Sequence, residues 1–272
     1  MQDIGITELK KLTHAIKEKY SYDFSNYASA SFKRRILRIM EIKNINNLDL
    51  LISKISTSEF KKEDLLSEIT VNVTEMFRDP TFWICLKDSI PTLLKDQNKV
   101  RIWHAGCSSG EEVYSMLILL KSINMLDKVK IYASDIDRGI LAKAREGKIA
   151  IKNMELNQAN YQKTGGKNIN DFFEIKNSFA CFDKSLLERV AFLEVDLTKP
   201  KLYPTVDFIL CRNVLIYFNQ NLKNEVLTAM HANLAMGGHL AVGSKETLAW
   251  TDIAPKFGAV SIEEKLYKKN KE

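Results

Sequence analysis

A loop of small residues joins an apolar strand to an apolar helix near the middle of the chain. The strand covers Val100–Ala105, the loop is Gly106-Cys107-Ser108-Ser109-Gly110, and the helix begins with Glu111-Glu112. Glycines at such a junction let the backbone approach a ligand closely, as in nucleotide-binding α/β folds. The spacing is not Gly-x-Gly-x-x-Gly, and a pyrophosphate beside two carboxylates would be electrostatically unfavourable. The pattern therefore favours a cationic ligand with an amino group and a sulfonium over the nicotinamide dinucleotide of an oxidoreductase.

Two further carboxylates follow later strands. Asp135 ends the next strand, where a carboxylate can accept hydrogen bonds from both hydroxyls of a ribose. The alternative role at this position is a helix N-cap. We assign the ribose to Asp135 and the cap to Asp137. Asp196-Leu197 follows a third strand, where an adenine edge would fall, although an ordinary loop acid explains Asp196 nearly as well.

Apolar residues divide the chain into a helical first part and a second part in which strands alternate with helices. Up to about residue 70 they recur every three or four positions, which predicts four amphipathic helices. Apolar strands follow at Val100–Ala105, Val129–Ser134, Val190–Val195 and Val206–Cys211, with helical stripes after the first two. This alternation predicts a doubly wound, mostly parallel sheet of the α/β class.

Three later segments interrupt the alternation. The polar stretch from about Gly147 to Arg189 contains Asp171–Ile175 and Phe179–Phe182, which are expected to pair as antiparallel strands in a small insertion. Gly237-Gly238 predicts a turn into a further strand. The end of the chain predicts a closing antiparallel pair, Ala259–Ile262 with Lys265–Tyr267.

Composition narrows the class of protein. With 45% hydrophobic and 27% charged residues, the chain has the composition of a soluble globular protein. No apolar run reaches the roughly 18 residues needed to cross a bilayer. The first residues, Met1–Gly5, carry an acid and do not resemble a signal peptide, so a cytoplasmic location is expected. The net charge of +6, without a dense Lys/Arg tract, favours an acidic protein partner over nucleic acid.

The four cysteines give no sign of a metal site. Cys85, Cys107, Cys181 and Cys211 form no Cys-x-x-Cys pair, and no histidine stands beside them at zinc-ligand spacing. We therefore expect four free thiols, as in a reducing cytosol, and no bound metal.

Four segments, in this order along the chain, carry a resemblance to a known family. They are Asn72-Val73-Thr74-Glu75-Met76-Phe77-Arg78-Asp79, Ser108-Ser109-Gly110-Glu111-Glu112-Val113-Tyr114-Ser115, Ala133-Ser134-Asp135-Ile136-Asp137 and Cys211-Arg212-Asn213-Val214-Leu215-Ile216-Tyr217-Phe218. Together they resemble the CheR family of chemotaxis receptor methyltransferases, over essentially the whole chain. The resemblance implies that S-adenosylmethionine donates a methyl group to glutamates on the cytoplasmic, Glu-rich helices of chemoreceptors. The products would be glutamyl methyl esters and S-adenosylhomocysteine.

The resemblance also implies a division of the chain. A helical, receptor-facing domain and the inter-domain segment would cover residues 1–80, and a Rossmann-like methyltransferase domain residues 81–272. A small antiparallel insertion would lie at about residues 150–189. In some family members the insertion binds a receptor tail peptide, but here it is the segment least similar to the family. The protein is expected to act as a monomer that does not insert into the membrane.

The matched motifs imply a set of cofactor contacts. These are assigned to Asn72, Thr74, Arg78, Glu112, Asp135, Asp196, Leu197, Arg212 and Asn213. Glu112, rather than Glu111, is expected at the amino acid group and Asp135 at the ribose. The adenine side is assigned to Asp196, Leu197, Arg212 and Asn213. Tyr217 is expected beside the reacting sulfur.

Methyl transfer to a carboxylate needs no general base, because glutamate, with a reference pKa of about 4.3, is already ionised at pH 7. The enzyme mainly aligns the reacting atoms and excludes water. Arg78 is suited to hold the attacking carboxylate, and a salt bridge to Asp79 is its alternative role. A methyltransferase-like module that binds signalling partners without turnover is the alternative function.

The second predicted helix has a basic side. Arg34, Arg35 and Arg38 cluster within about a third of its circumference, opposite its apolar stripe. Such a cluster is often only a solvated surface. Because family members use a basic helix here to contact Glu-rich receptor helices, we expect these three arginines to bind the receptor substrate.

Overall fold

The computed structural model describes residues 4–70, 72–94, 99–199 and 205–272. Residues 1–3, part of the segment judged unlike a signal peptide, lie outside this range. The α-helices of the described residues are α1 Ile6–Tyr20, α2 Ser29–Ile42, α3 Leu48–Ser56, α4 Lys62–Ile69, α5 Pro80–Leu93, α6 Glu111–Ser122, α7 Arg138–Glu146, α8 Met154–Lys163, α9 Lys184–Leu187 and α10 Gln220–Asn233. The strands are β1 Val100–Ala105, β2 Val129–Asp135, β3 Lys148–Ala150, β4 Phe173–Lys176, β5 Phe179–Phe182, β6 Val190–Glu194, β7 Val206–Cys211, β8 Leu234–Val242, β9 Phe257–Ser261 and β10 Leu266–Lys269.

Helices α1 to α4 pack around one hydrophobic core and are called the helical part below. Each helix buries its apolar stripe, and Leu12, Ile36, Leu51 and Leu65, one from each, have no exposed surface. The Asn47 side chain accepts a hydrogen bond of 2.8 Å from the Leu50 backbone and caps α3. The prediction of four amphipathic helices is confirmed.

The remaining residues, called the sheet part, are built on seven strands in the order β6-β2-β1-β7-β8-β10-β9. Strands β6, β2, β1, β7 and β8 are parallel, and β10 is antiparallel to both of its neighbours. The predicted α/β fold, with its closing antiparallel pair, is therefore confirmed. Strand β2 lies on one side of β1 and strand β7 on the other, so the strand order reverses at β1. The carboxyl ends of these strands therefore border a crevice. Ligands of doubly wound sheets bind at such a switch point.

The insertion is a three-stranded antiparallel sheet in the order β3-β5-β4 with helix α8 beside it. The pairing of β4 with β5 matches the prediction, whereas α8 was not predicted. Its sequence has almost no apolar stripe because two of its inward-facing residues are polar. Asn157 accepts a hydrogen bond from the Met76 backbone N–H at 3.0 Å, and Asn160 donates to the Met76 carbonyl at 3.1 Å. Helix α8 thus fixes the segment that leads to Arg78.

The prediction of a turn at Gly237-Gly238 is wrong. Both glycines lie inside β8, where the register against β7 shifts between Val206 and Phe208. Gly237 has a φ of +75°, and a Cβ on Gly238 would lie 2.8 Å from the Ala235 carbonyl oxygen. The pair therefore forms a β-bulge in a continuous strand.

The loop between α1 and α2 joins the helical part to the sheet part. Ala28 donates a backbone hydrogen bond of 2.8 Å to the Tyr217 carbonyl, and Asn219 donates one of 2.9 Å to the Asn26 carbonyl. The Tyr27 ring packs edge-on against Phe218, with 5.2 Å between ring centroids. The helical part is thereby held against the short 3-10 turn Leu215–Tyr217. None of the helices in the described part of the chain combines the length and apolarity needed to cross a bilayer.

Candidate cofactor and active site

A cleft opens at the carboxyl ends of β1, β2, β6 and β7. It is walled by the loops that follow these strands, by residues 72–78 and by the loop between α1 and α2. All of the residues expected to contact the cofactor line it: Asn72, Thr74, Arg78, Glu112, Asp135, Asp196, Leu197, Arg212 and Asn213. Tyr217 also lines the cleft, whereas Glu111 does not. Parallel strands place their carboxyl ends at one edge, which explains how distant motifs meet here.

The glycine loop after β1 forms the floor of the cleft. Gly106 has a φ of +78°, and a Cβ there would lie 2.5 Å from Val214, so a larger residue would displace the loop after β7. The Ser108 backbone N–H donates to Asp135 at 2.9 Å, which ties the loops after β1 and β2 together. The buried Ser108 hydroxyl has no hydrogen-bond partner within the described ranges. This unpaired group is available to a ligand in the cleft.

Two backbone N–H groups hold the Asp135 carboxylate in place. One carboxylate oxygen accepts from Ser108 and the other from the Asp137 N–H at 3.1 Å. Burial raises the pKa of Asp135, and the neighbouring Asp137 charge adds to this, while the backbone hydrogen bonds oppose it. Asp137 itself caps α7 by accepting from Gly139 and Ile140 at 2.8 and 3.2 Å. The cap is therefore Asp137, as predicted, and the free lone pairs of Asp135 face the cleft.

Glu112 is the carboxylate of the Glu111-Glu112 pair that faces the cleft. Burial acts to raise its pKa, but a hydrogen bond from His104 and the charges of His104, Arg212 and Arg78 outweigh burial and lower the pKa. Glu112 therefore stays ionised at neutral pH. Glu111 instead accepts a hydrogen bond of 2.6 Å from the Ser109 hydroxyl at the start of α6, and burial raises its pKa.

Arg212, which the resemblance groups with the adenine-side residues, has its contacts beside Glu112. Its guanidinium donates to Asp79 at 2.7 Å, lies 3.6 Å from a Glu112 oxygen and stacks over the Phe82 ring at 4.0 Å. Its assignment to the adenine side stays a prediction. Because Asp79 is engaged by Arg212, the alternative salt bridge between Arg78 and Asp79 is also absent from the described residues.

Arg78 and Tyr217 face the same part of the cleft. The positive charge of Arg78 acts on both Glu112 and Tyr217, and no ion pair of Arg78 is found in the part of the chain that the structure describes. Burial raises the pKa of Tyr217, although the charges of Arg35, Arg78 and Arg34 oppose this. The phenol is therefore neutral at pH 7, beside a guanidinium that is free to bind an anion.

The opposite end of the cleft contains Asp196 and Leu197. Asp196 accepts from the Thr198 backbone and hydroxyl at 3.0 and 2.6 Å, and its other oxygen lies 3.3 Å from Lys199. These contacts are those of a loop acid that shapes its own turn, the role considered as its alternative. Leu197 supplies an apolar wall.

Tyr27 is a cleft residue that sequence reasoning missed. Burial raises the pKa of its hydroxyl, and the carboxylates of Asp196 and Asp135 raise it further, so the phenol stays protonated beside both acids. No motif marks this tyrosine, because it lies in a loop of the helical part far from the strand ends in sequence. Its position depends on the packing of the two parts of the chain.

The arginines of α2 occupy different environments. Arg34 is exposed, and its charge and that of Arg35 act on Tyr217. The Nε atom of Arg35 is buried without a hydrogen-bond partner among the described residues. Arg38 forms an ion pair of 3.5 Å with Glu68 of α4. Arg34 and Arg35 therefore carry the charges of α2 that act on Tyr217, whereas Arg38 is paired with Glu68.

The cysteines are free thiols, as expected. Cys107 and Cys211 are buried, and burial raises the pKa of both thiols. Over the described ranges no group of three or more His, Cys, Asp or Glu side chains is arranged to hold a metal ion.

The doubly wound sheet, its glycine loop and the acidic end of its cleft define a methyltransferase that binds S-adenosylmethionine. A family model described as CheR methyltransferase, SAM binding domain matches residues 72–265, and one described as CheR methyltransferase, all-alpha domain matches residues 7–70. The chain belongs to the CheR methyltransferase family.

Two relatives with methyltransferase names match nearly the whole chain. A Pseudomonas putida protein named as a methyltransferase, Cher3, is 34% identical over 97% of each chain. The chemotaxis protein methyltransferase of Borreliella burgdorferi is 30% identical over 90% of each chain. Among solved structures, the N-methyltransferase NodS from Bradyrhizobium japonicum WM9 with S-adenosylhomocysteine aligns at a TM-score of 0.40 and 13% identity, covering 73% of this chain and 89% of that one.

The residues of the cleft fit this cofactor. The ionised Glu112 suits an ammonium group, and Asp135 retains lone pairs for ribose hydroxyls. The unpaired Ser108 hydroxyl adds a polar contact to the floor. A cationic group bound beside Glu112 would be stabilised by its negative charge.

Proposed function

We propose that this protein converts glutamate side chains of chemoreceptors to methyl esters, with S-adenosylmethionine as methyl donor. One observation carries the proposal: Arg78, which has no ion pair among the described residues, lines the cleft with Tyr217, on which the charges of Arg34 and Arg35 of α2 also act. Such a cation is suited to an anionic acceptor. Membership in the CheR family and relatives named chemotaxis protein methyltransferases support the same substrate class.

The mechanism requires alignment rather than proton transfer. S-adenosylmethionine, held by Glu112 and Asp135, would supply an electrophilic methyl group on a positively charged sulfur. The acceptor carboxylate would gain an oxygen–carbon bond as the carbon–sulfur bond broke, with the electron pair left on sulfur and both charges neutralised. Arg78 holds the acceptor carboxylate in line, and the neutral Tyr217 phenol borders the reaction path. Because opposite charges disappear in this step, a cleft that excludes water favours it.

Receptor binding is assigned to the basic face of α2. Ala28, directly before α2, is hydrogen-bonded to the backbone of Tyr217, so the first turn of the helix lies beside the active site. Arg34 and Arg35 are therefore placed to meet acidic residues that flank the methylated glutamate. We further propose that the protein acts in the cytoplasm as a monomer. Binding of a receptor tail by the β3-β5-β4 insertion is not part of this proposal.

Transfer of tritiated methyl groups to receptor-containing membranes tests the proposal. Label should enter the receptor and be released by mild base, because esters hydrolyse under conditions that leave methylamines intact. Arg78→Ala should lose most of this label, and Arg138→Ala, a substitution of an exposed arginine outside the cleft, should not. If S-adenosylhomocysteine binds normally but the receptor acquires no label, the protein is a methyltransferase-like binding module instead.

A further inference from the structure

A buried histidine lies behind the cofactor cleft. His104 is part of β1, the third strand of the seven-stranded sheet, between Ala133 of β2 and Leu210 of β7. Its side chain has no exposed surface, and its Nδ1 atom lies 2.8 Å from Glu112 Oε1. Its Nε2 atom is buried and has no hydrogen-bond partner among residues 4–70, 72–94, 99–199 and 205–272. The ring therefore has one polar contact there, and that contact is with the carboxylate assigned to the cofactor.

The surroundings of the ring favour a proton on Nδ1. An N–H at Nε2 would be buried without an acceptor among the described residues, which costs more than a bare lone pair. Glu112 is ionised and can only accept. Nδ1 of His104 therefore donates a hydrogen bond to Glu112.

Two groups then fix the Glu112 carboxylate. His104 holds Oε1, and Arg212, itself engaged by Asp79, approaches Oε2 at 3.6 Å. The His104 side chain has no exposed surface and Arg212 is itself held by Asp79, so both contacts orient the carboxylate.

We propose that His104 is a positioning residue that aims the charged Glu112 carboxylate at the ammonium group of the cofactor's amino acid moiety. The inference rests on the proposed function only in its assignment of Glu112 to that group. It predicts that His104 contributes to the affinity for ligands that carry the amino acid moiety and not for those that lack it. If His104 had a merely structural role, its replacement would weaken the binding of both kinds of ligand equally.

Calorimetry with two ligands separates these possibilities. S-adenosylhomocysteine carries the amino acid moiety, and 5′-methylthioadenosine shares only the adenosine and the sulfur. His104→Leu removes the donor and should weaken S-adenosylhomocysteine binding by about tenfold to a hundredfold, as for loss of a hydrogen bond to a charged group. Binding of 5′-methylthioadenosine should change by less than about twofold, within the few tenths of a kcal/mol common for indirect effects of a substitution.

Two conservative variants keep the test decisive if His104→Leu does not fold. The amide nitrogen of His104→Asn can take the position of Nδ1 and should restore most of the S-adenosylhomocysteine affinity. His104→Gln places its amide nearer the position of Nε2 and should not. The proposal is overturned if Asn and Gln bind S-adenosylhomocysteine equally well, or if both ligands weaken in parallel. Because the assay uses no receptor, failure of receptor methylation would leave this result unaffected and would count only against the proposed function.

Discussion

Replacement of Glu246 should destabilise the protein and disorder the active-site turn together. Glu246, which is 5% exposed, follows β8 and accepts three backbone hydrogen bonds. One oxygen accepts from Gly243 at 2.5 Å and from Asn213 at 2.9 Å, and the other accepts from Ile216 at 3.1 Å. The carboxylate thereby supports the turn that carries Asn213 and Tyr217.

The hydrogen bonds give the expected magnitudes. Glu246→Ala leaves three backbone donors unpaired, and at about 1–3 kcal/mol each, reduced by partial relaxation, it should cost about 3–5 kcal/mol of unfolding free energy. Glu246→Gln keeps one oxygen for Gly243 and Asn213 but turns an amide toward the Ile216 N–H, so it should cost about 1–3 kcal/mol. Urea denaturation followed by circular dichroism measures both values. Glu263→Ala, at an exposed position of the sheet part, is the matched control and should change the free energy by less than about 0.5 kcal/mol.

The pH dependence of stability gives a second test of the role of the Glu246 carboxylate. Burial raises the pKa of Glu246, although its backbone hydrogen bonds oppose this. The folded protein thus binds this proton more tightly than the unfolded chain. The stability of the wild type relative to Glu246→Gln should be highest below the ordinary glutamate pKa and should fall as the pH rises through the folded-state pKa. A difference that is independent of pH would refute the burial argument, and an Ala variant as stable as the wild type would refute the hydrogen-bond argument.

Three further predictions concern the cleft and its basic border. Asp135→Ala should weaken S-adenosylhomocysteine binding by about 1–3 kcal/mol, measured by calorimetry, because ribose hydroxyls would lose their acceptor. Arg78→Ala should lower the turnover number far more than the S-adenosylhomocysteine affinity, since it aligns the acceptor and not the donor. Reversal of Arg34 and Arg35 to Glu should raise the receptor KM strongly and remove most of its salt dependence, whereas Arg38→Glu should do less because Arg38 already pairs with a glutamate.

Each of these predictions has a contradicting outcome. Normal S-adenosylhomocysteine affinity in a folded Asp135→Ala protein would remove that carboxylate from the site. If Arg78→Ala retained turnover and lost only cofactor affinity, its assignment to the acceptor would be wrong. The matched control for α2 is the reversal of Lys10 and Lys11 to Glu on the exposed side of α1. Equal effects of this variant and of the Arg34/Arg35 reversal would show that only overall charge matters.

The parts of the fold that follow a simple period could be predicted from the sequence. The first four helices and the parallel strands bury apolar side chains at a regular spacing, so their positions could be predicted from the sequence. Helix α8 was missed because its buried face carries Asn157 and Asn160, whose partners are backbone groups around Met76. Helix α5 was not predicted, although Pro80 at its start fits the first turn of a helix.

The candidate site was predictable where it follows strand ends and unpredictable where it depends on tertiary packing. Motifs placed Glu112 and Asp135 at the cleft because each follows a strand of the sheet. The position of Arg212 beside Glu112 depends on Asp79 and Phe82, which reach it from another segment. Tyr27 reaches the cleft only because the helical part docks on the sheet part. No local sequence pattern predicts such tertiary contacts.

The position of Tyr27 has a consequence for ligand binding. Tyr27 and Ile69 of the helical part line the cleft together with residues of the sheet part, so a ligand that fills it contacts both parts. Separation of the two parts would then require loss of the ligand as well as of the backbone bonds at Asn26 and Ala28. A ligand at a hundred times its dissociation constant adds about 2.7 kcal/mol to the stability of the state that binds it. Saturating S-adenosylhomocysteine should therefore slow hydrogen exchange in α1 and α2, although neither helix contributes a residue to the cleft.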